Sequence, residues 1–155
     1  MTATEVAQSI GKGIVAGVAG TAAMTVSSTV EAKMRHRAFS TAPADATAKV
    51  LGIKEFTDDA AKSRFSNISH WGYGTSWGVL RGLLGVAGLS PAAATAAHGA
   101  AVWGNAQVML PILDVAPPAW LWPRKEVAID AFHHSVYAVA TGIAYEMLDG
   151  RNGRH

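Results

Sequence analysis

The sequence has no cysteine, so neither a disulfide framework nor thiolate chemistry is open to it. It is also poor in charge. Asp, Glu, Lys and Arg make up 15% of the residues, against about 25% in an ordinary soluble domain. Residues 82–113 contain none of the four, and the net charge is only +2. The basic residues are scattered rather than gathered, so no nucleic-acid partner is expected. No phosphate loop, dinucleotide fingerprint or nucleophile elbow occurs; Gly11, Gly13, Gly17 and Gly20 match none of them in context. A soluble enzyme is therefore disfavoured, and no catalytic residue is assigned.

What is present is small and apolar: 50% hydrophobic residues and 16 glycines in a chain of 155. That length suits one domain. Charge concentrates in residues 31–64, between uncharged runs, which is the pattern of a polytopic membrane protein. The expected fold is all-α, an integral membrane bundle of four transmembrane helices over about residues 10–31, 70–89, 92–113 and 127–148. Each approaches the roughly 20 residues that cross a bilayer. The first is rich in Gly, Ala, Ser and Thr and is preceded by Lys12 alone, so it reads as a span and not as a cleaved signal. Ser90-Pro91 supplies a cap and a first-turn proline for the third span. Pro117, Pro118 and Pro123 keep the next loop from being helical, and Gly150 stops the fourth span. The polar segment 32–67 reads as a surface loop with short helices near residues 45–51 and 58–66.

Sidedness follows from the basic residues. Lys33, Arg35, Arg37, Lys49, Lys54, Lys62, Arg64, Arg124 and Lys125 fall between spans 1 and 2 or 3 and 4, whereas Lys12, Arg151 and Arg154 lie in the tails. The positive-inside rule places those two loops in the cytoplasm, with Trp71, Trp120 and Trp122 as an aromatic belt at that face. The lipid bilayer is the expected surrounding. Gly13, Gly17 and Gly20, and then Gly74, Gly78 and Gly82, form stripes for close helix packing. A homo-oligomer through Gly74 and Gly78, or a membrane partner subunit, is expected from them.

Ionisable groups inside lipid are costly and are site candidates by default. Glu31, His70, Asp130, His133 and His134 reach one cytoplasmic-side level in the expected topology, a set with the nitrogen and oxygen ligands of a divalent metal. His70 opposite His134 would suit axial ligation of a haem. His70-x-x-Tyr73-Gly74-x-x-x-Gly78 recurs as His134-x-x-Tyr137-Ala138-x-x-x-Gly142, which suggests a duplicated hairpin and leaves a proton or small-solute path open. A second polar level comprises Arg81, His98 and Glu146, with an Arg81–Glu146 ion pair expected beside Tyr145. Asn105 lies deeper on the His98 face, placed to hydrogen-bond across helices.

Gly20-Thr21-x-x-Met24 before Glu31, His70-x-x-Tyr73-Gly74-x-x-x-Gly78 and the late His134-x-x-Tyr137 resemble small bacterial inner-membrane proteins of the YagU type, over about residues 13–148. The resemblance implies a four-helix protein of the bacterial inner membrane with no established biochemical activity. The long polar first loop departs from that pattern. The leading expectation is a scaffold, partner subunit or stress-related component without catalytic activity.

Overall fold

The computed structural model describes residues 2–150, and among them it is all-helical, with no strand. The first helix, α1 (Ala3–Met34), opens on a capping box: the Thr2 hydroxyl accepts from the Glu5 amide at 3.2 Å and the Thr2 amide donates back to the Glu5 carboxylate at 2.7 Å. It is long and apolar enough to cross a membrane. A short α2 (Ala42–Leu51) starts with Pro43 in its first turn and stops at Gly52, where φ is +70°.

The second long rod starts earlier than residue 70. Asp58 accepts from the Ala61 amide at 2.6 Å and so begins α3 (Asp59–Ser76), which absorbs the short helix expected near residues 58–66. Only Trp77 separates α3 from α4 (Gly78–Val86). Next, α5 (Pro91–Ile112) uses the expected Ser90 cap on the Ala93 amide at 3.3 Å. A 3-10 turn, Ala119–Leu121, leads into α6 (Arg124–Asp149), which ends at Gly150 with φ +66°. The tail charges Arg151 and Arg154 lie outside the described residues.

The long rods form a closed antiparallel ring in chain order. The α3–α4 rod and α6 flank α1, and α5 completes the ring between α6 and α4, while α2 lies on α3. The seam between α1 and the α3–α4 rod is backbone against backbone: a Cβ on Gly13 would stand 2.8 Å from the Gly82 amide nitrogen, and one on Gly17 would stand 2.7 Å from the Thr75 carbonyl oxygen. Glycine is the residue that permits this approach.

The distribution of side chains is inverted relative to a water-soluble bundle. Fully buried are Arg81, Tyr145, His98, Thr21 and Thr141, whereas none of the described Leu, Ile, Met, Phe or Trp residues is buried. Large apolar groups point outward instead, with Ile112 75%, Met147 76% and Val26 64% exposed. Water-soluble chains bury Ile, Val, Leu and Phe first.

Candidate functional site

Polar side chains collect at two levels inside the ring. At the charged end, Arg35 just past α1 bonds Glu31 at 2.9 Å and grips Glu126 of α6 with both guanidinium arms, one at 2.9 Å. Arg37 also bonds Glu31. These groups lie beyond the uncharged stretches of α1 and α6. The Arg37 hydrogen bond, joined by that of Arg35, draws the Glu31 carboxyl down to about 2 against the opposing pull of partial burial. Arg35 likewise lowers Glu126, and the two carboxylates raise Arg35.

Just inward, the Ser27 hydroxyl donates to the Met24 carbonyl at 3.0 Å and therefore accepts from His133 Nδ1 at 2.9 Å. That leaves His133 Nε2 bare, 3.8 Å from Glu31, buried and without a hydrogen-bond partner. Thr25 of α1 engages His70 Nε2 at 2.8 Å. Asp130 accepts from Trp103 Nε1 at 2.8 Å and from Gln107 at 3.2 Å. His134 Nδ1 donates to the Asp130 carbonyl at 2.9 Å.

The expected metal set is thus divided. Glu31 is taken by two arginines, His70 by α1 and Asp130 by α5, and His134 faces an open groove between α5 and α6. Among the described residues no group of three or more His, Asp or Glu residues stands placed to hold a metal. Of the two histidines considered for a haem, the structure places His70 against Thr25 of α1 and His134 in the groove between α5 and α6. Successive helical residues differ by about 100°. That rotation sends His133, and not His134, to the same inward face as Tyr137.

At the other end the expected ion pair is present. Arg81 Nη2 donates to Glu146 at 2.6 Å, and the guanidinium lies 4.1 Å from the centroid of the Tyr145 ring. The Ser9 hydroxyl donates to the Gly82 carbonyl at 2.9 Å, so Tyr145 donates its phenolic proton to Ser9. Lys12 bonds Asp149 at 2.8 Å. Between the levels, Tyr137 donates to the Gly74 carbonyl at 2.6 Å and Asn105 donates to Tyr73 at 2.9 Å. His98 Nε2 donates to the Trp77 carbonyl at 3.0 Å. Arg81 Nε and Nη1, His98 Nδ1, Thr141 Oγ1 and Glu146 Oε2 have no hydrogen-bond partner.

Sequence reasoning missed Ser9, Thr25 and the Arg35–Glu126 clamp. Glu31 and Arg35 at i,i+4 carried a signal for the clamp; the hydroxyls carried none, because Ser and Thr also serve as neutral packing residues.

No family model matches the chain, and neither a curated protein nor a solved structure matches it.

Proposed function

We propose that this chain is a four-span integral membrane protein of the bacterial inner membrane, acting as a non-catalytic scaffold or partner subunit. The spans lie within α1, the α3–α4 rod, α5 and α6, with the Glu31, Arg35 and Glu126 clamp outside them. One observation carries this reading: the ring hides Arg81, His98, His133, Glu146, Thr21 and Thr141 and presents large apolar side chains outward. Lipid reverses the preference that water imposes on a bundle surface, and internal association then rests on close packing and polar bonds. By rise alone, α5 with 22 residues is roughly 33 Å long and α6 with 26 is roughly 39 Å. Both exceed the roughly 30 Å hydrocarbon thickness. The basic segments around α2 and Arg124 support a cytoplasmic position for the Glu31 end. The resemblance to YagU-type proteins supports the same architecture.

The subunit role is supported by an open groove. Gly74 and Gly78 are filled from within by Thr21, Gly13 and Ile14 of α1, so they offer no seat for another chain. The α5–α6 groove, of about 740 Å³ and lined by Ala96, Gly99, Ala131 and Ala138, is the better seat for a partner helix. Membrane fractionation with an alkaline wash tests the core of the reading. Retention with the bilayer and a need for detergent are expected; a monodisperse chain in plain buffer would overturn it.

A further inference from the structure

The geometry points to a binding site for an apolar alcohol of the bilayer in the α5–α6 groove, with the ligand hydroxyl on His134. The inference rests on lipid surrounding the bundle, and such a ligand competes with a partner helix for the same groove. The lining runs from Pro91 to Trp103 on α5 and from Ala131 to Ile143 on α6, each roughly 18 Å of helical rise. Its volume of about 740 Å³ falls within the roughly 300–1,000 Å³ of small-molecule sites. The floor is closed where the helices touch: a Cβ on Gly99 would stand 3.0 Å from that of Ala138, and one on Gly142 would stand 3.2 Å from Thr95 Cγ2. Ala92, Ala96, Ala100, Ser135, Val139 and Ile143 are exposed, so the groove opens outward to lipid.

Polarity is concentrated at one end of the groove, and there each N–H and O–H is already spent. His134 Nδ1 donates to the Asp130 carbonyl at 2.9 Å, so the neutral ring keeps a lone pair on Nε2, which has no hydrogen-bond partner among the described residues. The Ser135 hydroxyl donates to the Ala131 carbonyl at 2.8 Å, and Trp103 Nε1 donates to the Asp130 carboxylate at 2.8 Å. Thr95, the other hydroxyl of the lining, lies roughly 12 Å of rise from Trp103 and is turned toward Gly142. The His134 end therefore offers acceptors alone. A ligand satisfies them by bringing a donor.

Depth decides the charge of the head. His134 lies roughly 12 Å of helical rise inward from Glu126, where the clamp marks the wet end of the bundle. A phosphate or carboxylate drawn to that depth loses its water, and the lining holds no Lys or Arg to offset the loss. Esters and ketones fail for a different reason, since they bring acceptors to acceptors. A lone hydroxyl meets both conditions: it is uncharged, and its O–H donates to His134 Nε2. The hydrocarbon body then lies along Ala96, Gly99, Ala100 and Ala138, whose small side chains leave it room. One polar contact at the end of an apolar channel fixes which way round the ligand sits.

The test uses the full chain in phosphatidylcholine nanodiscs, photolabelled with a diazirine-bearing long-chain alcohol and mapped by peptide mass spectrometry. Label is expected on α5 and α6, and dodecanol should displace it at about a fivefold lower concentration than dodecyl methyl ether, which lacks the donor. His134→Phe should bring the two competitors level, and Ala100→Leu, which narrows the groove, should lose the label. Equal displacement by alcohol and ether in the wild type overturns the hydroxyl site, as does a preference that survives in His134→Phe. Should that variant fail to fold, the wild-type comparison decides alone. A chain held in the discs with no label on α5 or α6, or with full label in Ala100→Leu, overturns the groove as the site and leaves the bilayer reading standing. A chain that does not enter the discs overturns both.

Discussion

Arg81 of α4 and Glu146 of α6 meet at 2.6 Å inside the bundle, with the arginine side chain wholly shielded and the glutamate nearly so. Breaking a buried pair on one side costs about 3–5 kcal/mol, because the surviving charge is left uncompensated. Arg81→Ala and Glu146→Ala should each lower the unfolding midpoint in detergent by that scale. The double replacement Arg81→Met with Glu146→Leu should recover most of the loss. A double variant no better than the worse single would refute the coupling.

The glycine seams make a paired prediction. Gly82→Ala places a methyl 2.5 Å from the Ser9 carbonyl oxygen, where the backbone of α1 must move. Overpacking of this kind costs about 1–3 kcal/mol. Gly72→Ala and Gly104→Ala meet nothing within 4 Å and should be neutral or gain up to about 1 kcal/mol from helix propensity. Thermal melts of the three variants decide it.

The Glu31 clamp predicts a pH window. Its carboxyl falls from an ordinary 4.5 to about 2 on folding, so between those values the unfolded chain binds more protons. Stability from this group is complete above about 4.5 and is lost as pH falls through about 2. Arg37→Gln should flatten the acid limb of a midpoint-against-pH curve, and added salt should act in the same direction because the pair is near solvent. An acid limb identical to wild type would reject the assignment.

The α5–α6 groove separates partner binding from folding. Ala96→Leu fills a side of the groove that faces outward, so its midpoint should stay within about 0.5 kcal/mol of wild type. If a partner helix seats there, the size of the detergent-solubilised species should drop. Gly74→Leu should instead unfold the bundle, since Thr21 Cγ2 would lie 3.0 Å from the added Cβ.

Much of the architecture was written along the chain. Caps and breaks are local chemistry, so Ser90, Pro91, the prolines before Arg124 and Gly150 marked helix ends that the structure keeps. The start of the second rod at Asp59 escaped because a polar stretch carries no apolar period, although Asp58 caps it by the same local rule. Arg81 and Glu146 were legible as partners because two opposite charges isolated in apolar runs have few other ways to be neutralised.

The amino-acid order alone thus determined the helical content, the placement of charge at helix ends and the presence of small-residue seams, all of which depend on neighbours within a turn or two. Tertiary structure decided which of two adjacent histidines turns inward, which carboxylate the arginines claim, and which glycine stripe is already filled. Those outcomes depend on the rotation of each rod about its own axis. A shift of one residue, about 100°, exchanges the buried face for the outward one, and only simultaneous contact with neighbouring rods selects among the rotations.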